Sequence, residues 1–308
     1  SIHIKGNIPR ASGLGSSAAL SVATAAALRM ARGRWVSKTD GTQQQNWLEG
    51  FGSTIANSEP YDNSPGFFAT ESQDERYHIT NKTSVDNDEC AILAHGVEAA
   101  VQQGRASPMD SSTCSHGGII IISDVVEQDI DYLYQRTLAM KDATRMWHIH
   151  EMSPPSDSND VYLVIGNTGV HAPTGKQVAK VAEMLQQDPS RMKEIDTIGQ
   201  IARRGIKALK EGDFAAVGRT MTENQLMLSS IGVSSPELDN LIRAASPSSL
   251  GAKLTGAGGG GCMVALTRNP KETSDAIELA GGRTLISRLG SSGLSVDGSQ
   301  NTIIWTKT

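Results

Sequence analysis

The run Gly13-Leu14-Gly15-Ser16-Ser17 is the part of the sequence best suited to holding an anion. A loop lying against phosphate oxygens cannot carry bulky side chains, and glycine removes them while admitting unusual backbone angles. Ser16 and Ser17 add backbone N–H groups and hydroxyls. A helix that follows such a loop turns its positive end toward the anion. The string is not a Walker A loop, because no Gly-Lys-Ser/Thr follows the glycines, and it is not Gly-x-Gly-x-x-Gly either. A plain strand–turn–helix with glycines placed for geometry is the alternative.

Glu98 and Asp110 form a spaced acidic pair. Phosphoryl transfer needs a cation bridging phosphate oxygens and a group that handles the acceptor hydroxyl's proton. Mg2+ favours carboxylate and hydroxyl oxygens and keeps several waters. Taken alone, though, two such carboxylates are an ordinary solvated surface feature. A second glycine run, Thr255-Gly256-Ala257-Gly258-Gly259-Gly260-Gly261, reads either as backbone free to approach phosphate or as a hinge between a packed helix and a strand. Lys253, just before it, is expected to be solvated. His148, His150 and Glu151 are closely spaced, but no His-Glu-x-x-His helix is present, so a surface loop is expected there rather than zinc. His3, His78, His95, His116 and His171 are scattered and receive no role.

The elements around these residues follow from periodicity. Residues 2–8 alternate like a strand that ends at Pro9, and Ala18–Leu28 is a strong helix former with Gly33 at the expected stop. Residues 33–88 are rich in amides, Ser, Pro and Gly, and predict a long surface excursion, partly disordered. Ala91–Val101 reads as a helix, 103–110 as a loop and Ile119–Ile122 as a buried strand. Val161–Gly166 is a further strand, with a domain boundary at the Ser/Pro-rich stretch before it. Helices then dominate: Ile198 to Leu209, Phe214 to Leu228 and Leu238 to Ala245 each repeat at helical spacing, and Cys262–Leu266 returns to strand.

Composition limits the partners. Net charge is −5 and aromatics are 4%, which argues against a nucleic-acid surface. No apolar run is long enough to span a membrane. Three cysteines without metal or redox spacing suit a reducing compartment, so a cytoplasmic protein is expected. The chain opens on Ser1 inside an apparent strand, which predicts a fragment or a late start.

The whole string Pro9-Arg10-Ala11-Ser12-Gly13-Leu14-Gly15-Ser16-Ser17-Ala18-Ala19 resembles the Pro-x-x-x-Gly-Leu-Gly-Ser-Ser-Ala-Ala signature of the GHMP kinases. Val97 to Asp110, followed by Gly117-Gly118, is similar to the acidic segment of archaeal-type mevalonate kinases. Leu254 to Cys262 resembles the third GHMP motif, and Asn167-Thr168-Gly169-Val170 with Thr174-Gly175-Lys176 also looks like that family. The resemblance covers residues 1–32 and about 91–297. It implies an α+β, two-domain fold, with an N-terminal domain related to ribosomal protein S5 domain 2-like and a ferredoxin-like C-terminal α/β domain. The N-terminal ATP-binding domain would span 1–160, incomplete at its start and with an insertion at about 33–88, and the C-terminal domain 161–308.

By the same resemblance Pro9, Ser12, Gly13, Leu14, Gly15, Ser16, Ser17, Ala18 and Ala19 would bind ATP. Ser17 and Glu98 would hold Mg2+, and Asp110 would be the catalytic base. Thr168, Gly169, Thr255, Gly256, Ala257 and Gly258 would line the substrate or phosphate loop, with MgATP and mevalonate in the cleft between domains. The implied reaction is ATP-dependent phosphorylation of mevalonate to 5-phosphomevalonate in isoprenoid biosynthesis. The implied partners are ATP and a small alcohol, with no nucleic acid, no membrane, and homodimerisation left open. The family's opening motif, a Pro-Gly-Lys strand with a Gly-Glu-His turn, does not occur in this sequence, and Lys5 is not its counterpart. That departure keeps two alternatives in view: another GHMP kinase, acting on phosphomevalonate or a sugar, or a catalytically silent nucleotide- or protein-binding relative.

Overall fold

The computed structural model describes residues 4–6, 14–32, 35–38, 43–44, 77–80, 86–102, 104, 106–139, 144–171, 173–295 and 303–305. They fall into two compact units, one within 17–152 and 292–308, the other within 1–16 and 153–291. Ile4–Gly6 carry no strand pairing, and the rest of the strand expected at the start lies outside the described residues.

In the first unit, helix α1 (Ser16–Arg32) ends one residue before Gly33, as its alanine-rich composition and that glycine predict. Most of the excursion expected at 33–88 lies outside the described residues. Strands β1 (Trp35–Lys38), β2 (Gln43–Gln44) and β3 (Tyr77–Thr80) form an antiparallel sheet with Ile303–Trp305, in the order Ile303–Trp305, β3, β1, β2. Helix α2 (Asn87–Val101) starts at Asp86, whose carboxylate accepts from the Glu89 N–H at 3.2 Å. Helix α3 (Met109–His116) follows Pro108, so Asp110 sits in a first helical turn rather than in the loop expected for it. The Ser111 and Ser112 hydroxyls both donate to the Pro108 carbonyl, at 3.1 and 2.5 Å, and help this short helix to start.

Strands β4 (Ile119–Ser123), β5 (Asp131–Ala139) and β6 (Thr144–Met152) form an antiparallel sheet with β6 in the centre. As an edge strand β4 buries only Ile121 of its four isoleucines, so the fully buried strand expected there is half-covered instead. His148, His150 and Glu151 lie on β6, and His150 is fully buried, so the surface loop expected there is replaced by the central strand of the sheet. The Glu127 N–H donates to His150 Nε2 at 3.0 Å and gives that imidazole a partner inside the fold. Val22, Ala25 and Ala26 of α1 pack against Cys90 and Ala94 of α2, while Ala91 meets Tyr134 and Ile149 of the sheet. The Leu294 N–H donates to the Ser115 carbonyl at 2.9 Å and ties the returning chain to α3.

The second unit runs β7 (Tyr162–Asn167), α4 (Thr174–Gln187), α5 (Met192–Lys210), α6 (Phe214–Ser230), α7 (Pro236–Ala245), β8 (Gly251–Leu254), β9 (Cys262–Thr267), α8 (Pro270–Leu279) and β10 (Arg283–Arg288). Its sheet order is β10-β7-β9-β8, antiparallel throughout. Counted within the unit this is the 4-1-3-2 arrangement of a ferredoxin-like domain, as the resemblance implies. Leu238, Leu241 and Ala245 of α7 and Ile277 of α8 bury one sheet face over Val164, Ala252, Leu254, Met263 and Ala265. Phe214, Val217 and Met221 of α6 cover Val161 and Leu266 from the other side. Helix α6 crosses β8 so closely that a Cβ at Gly218 would lie 2.0 Å from the Leu250 carbonyl oxygen. Among the described residues no helix is long and apolar enough to cross a membrane.

Candidate active site

The packing of α1 on α2 brings the first turn of one beside the last turn of the other. The Ser17 hydroxyl thereby donates to the Glu98 carboxylate. Glu98 is 8% exposed, and burial pushes its carboxyl up to about 6; the nearby Asp110 charge adds to this and the Ser17 bond opposes it. Asp110 lies at the rim of the cluster. It keeps open surface to water, yet protein crowds its inner side enough for burial to raise its carboxyl above the usual range. Cys114, one turn further along α3, has its thiol pushed up to about 11 by burial and then by Asp110 and Glu98. It therefore stays a neutral thiol at physiological pH rather than a nucleophile.

Burial raises both carboxyls, and the Asp110 charge raises Glu98 further, so a cation placed here would favour their ionised forms. Its donors are hard oxygens: the Ser17 hydroxyl and the Glu98 carboxylate. Among the described residues no group of three or more His, Cys, Asp or Glu side chains is gathered for a metal. A two-side-chain set of oxygens suits Mg2+, which leaves most of its shell to water and phosphate.

Of the glycine–serine loop, Leu14 and Gly15 are described, and Gly15 takes φ +64°, the left-handed region that a side chain would disfavour. Helix α1 begins at once with Ser16, so the N–H groups of its first turn with no acceptor inside the helix are those of Ser16, Ser17 and Ala18. Ala18 is fully buried and anchors that turn. Pro9, Ser12 and Gly13 lie outside the described residues.

In the second unit the other candidate residues gather by backbone bonding. The Thr168 N–H and hydroxyl both donate to the Gly261 carbonyl at 2.9 Å, and the Gly261 N–H donates to Val170 at 2.8 Å. The Thr255 N–H donates to Cys262 at 3.0 Å, and Asn167 Oδ1 accepts from the Gly169 N–H at 2.7 Å. Thr168, Gly169, Thr255, Gly256, Ala257 and Gly258 thus belong to one interlocked pair of turns. Packing alone demands some of the glycines. A Cβ at Gly258, φ +82°, would lie 2.0 Å from the Val233 carbonyl oxygen, and one at Gly259 would lie 2.1 Å from Gln177 Nε2. Gly256 also has positive φ but is exposed.

Lys253 is not the solvated lysine expected from sequence. Its Nζ donates to the Leu254 carbonyl at 2.8 Å, and burial lowers its pKa. Gln225 drew no attention in the sequence, where it is one polar residue in an apolar helical pattern. It is 7% exposed; its Oε1 accepts from the Leu254 N–H at 2.9 Å and its Nε2 donates to Ser234 at 3.1 Å. It therefore braces the strand entering the glycine loop against the segment that receives Gly259.

Two family models match the chain. The model described as GHMP kinases N terminal domain matches residues 1–57, and that described as GHMP kinases C terminal matches residues 206–282. The chain belongs to the GHMP kinase superfamily. Among individual proteins it is 30% identical over 221 residues to the mevalonate kinase of Pyrococcus furiosus, covering 69% of this chain and 58% of that one. It is 30% identical over 266 residues to the mevalonate kinase of Methanothermobacter thermautotrophicus, covering 86% and 63%. The chain thus spans less than two thirds of the length of these relatives. In fold it is similar to a Lactococcus lactis galactokinase solved with galactose, at TM-score 0.51 and 19% identity, covering 94% of this chain and 68% of that one.

Proposed function

We propose that the protein is a kinase that transfers the γ-phosphoryl group of ATP to the primary alcohol of mevalonate, giving ADP and 5-phosphomevalonate. The observation that carries this reading is the convergence of Ser17, Glu98 and Asp110 from three separate helices. The archaeal relatives, which are mevalonate kinases, supply the choice of acceptor.

Each residue has a defined task. The first turn of α1 directs free N–H groups at phosphate oxygens. Asp110 takes the proton of the alcohol as its oxygen forms the new bond to phosphorus and the bond to the ADP oxygen breaks. Its raised pKa moves it toward the value at which a carboxylate is an effective base near neutrality. Ser17 and Glu98 would hold Mg2+, which when bound neutralises charge on the phosphate oxygens. The Thr168 and Thr255 turns belong to the other unit, and their part in binding the substrate or the phosphate is what the resemblance implies.

ADP release measured with mevalonate, phosphomevalonate, galactose and no acceptor tests the proposal. Release dependent on mevalonate alone is expected. Preference for phosphomevalonate or galactose overturns the choice of acceptor, and no release with any acceptor while ATP still binds overturns the kinase reading.

A further inference from the structure

His95 lies on α2 one turn before Glu98 and is fully buried. Arg136 Nε donates to its Nδ1 at 2.9 Å, so the ring proton sits on Nε2, which donates to the Ala106 carbonyl at 3.2 Å. Arg136 is 3% exposed, and Trp147 meets the imidazole edge-on. Burial, reinforced by the Arg136 charge, lowers the His95 pKa to about 4, so the imidazole is neutral under working conditions and both bonds persist. Ala106 opens the segment that runs through Pro108 into α3 and Asp110. Two residues before Arg136 on β5, the Tyr134 hydroxyl bonds Ser112 Oγ at 2.9 Å, and Ser112 in turn holds the Pro108 carbonyl. One face of β5 thus grips the segment before Asp110 at two points, and one grip passes through the helix that carries Glu98.

We propose that His95, held by Arg136, is a positioning residue that sets the separation of Glu98 and Asp110 by tying the Ala106–Pro108 segment to the Glu98 helix. The catalytic part of this inference rests on the reading of the site as a kinase centre. Neither His95 nor Arg136 touches the reacting groups. Their effect is on where Asp110 stands, and a misplacement of about 1 Å can cost about 10²-fold in rate.

Two variants of the full chain separate the two bonds. His95→Asn keeps an oxygen near the Nδ1 position for Arg136 but is too short to reach Ala106. His95→Gln can place its amide N–H at the Nε2 position. Expected for His95→Asn is a kcat lower by about tenfold or more with KM for ATP nearly unchanged, while His95→Gln stays within about threefold of the parent. Hydrogen exchange read by mass spectrometry supplies a measurement that needs no activity. Peptides covering 104–112 should exchange faster in His95→Asn and at the parent rate in His95→Gln, with α1 and β6 unchanged in both. Equal behaviour of the two variants, or faster exchange spread over the whole of 17–152, overturns the proposal. If the parent shows no kinase activity, the kinase reading falls by itself and the exchange data still decide whether His95 holds the segment.

Discussion

Replacing Glu98 with glutamine should make the protein more stable while impairing its response to Mg2+. Glu98 is 8% exposed, and its carboxyl stands at about 6 instead of 4.5, chiefly through burial and secondly through Asp110. A gap of this size is worth roughly 2 kcal/mol, at about 1.4 kcal/mol per pH unit. The native state binds this proton more tightly than the unfolded chain does. Stability from this group is therefore complete below pH 4.5, declines as the pH rises through about 6, and above that carries the whole cost of a buried charge. Glutamine keeps the size and an oxygen that can accept from Ser17, but has no charge to bury. In chelator above this window, Glu98→Gln should therefore be more stable by roughly 2 kcal/mol, or roughly 4–8 °C in melting temperature for a unit of this size. At pH of about 4 the advantage should vanish. Adding Mg2+ and ATP should narrow the gap from the other direction, by stabilising the parent far more than the variant. Thermal melts at the two pH values, with chelator or with MgATP, make the comparison. A variant that is equal or less stable above the window in chelator would refute the account of Glu98 as a buried charge awaiting a cation.

Other outcomes follow from the same geometry. MgATP at a hundred times its dissociation constant should stabilise the folded protein by about 2.7 kcal/mol, and no rise in melting temperature at saturating nucleotide would count against an intact nucleotide site. Gly258→Ala should cost at least about 1–3 kcal/mol, because the added methyl meets the Val233 carbonyl at positive φ; a melt unchanged from the parent would contradict the packing. Gly256→Ala, at an exposed turn, should cost only about 1–2 kcal/mol of backbone strain while lowering kcat more than Gly258→Ala does per unit of stability lost.

The readable parts of the fold were those with one strong local signal. The alanine run of α1 and the apolar spacing of α5, α6 and α7 each mark a helix because every third or fourth side chain faces the same core. The β5–β6 pair carries no such signal. Its interior holds Arg136 and His150, polar residues that burial tolerates only because partners distant in sequence satisfy them: Arg136 finds His95 on another element. The same reason hid the bracing amide of Gln225, whose partner Leu254 lies on another element, whereas Lys253 bonds the next residue's carbonyl and is covered only by the folded chain. In the candidate site, motif spacing pointed to Ser17, Glu98 and Asp110 individually. Their convergence depends on small residues, Ala25, Ala26 and Ala94, letting α1 and α2 approach, and a motif does not contain that information.

In the proposed reaction the alcohol's proton would pass to Asp110 as mevalonate is phosphorylated. Asp110→Asn preserves size and most hydrogen bonding but removes the accepting charge, and general-base help of this kind is worth about 10²–10⁴-fold. The direct measurement is mevalonate-dependent ADP release by parent and variant at saturating MgATP, with nucleotide affinity determined separately. Asp110→Asn should lower kcat by about 10²-fold or more and leave the affinity for ATP almost unchanged. A variant that turns over mevalonate at nearly the parent rate would contradict this, because Asp110 would then not be the base.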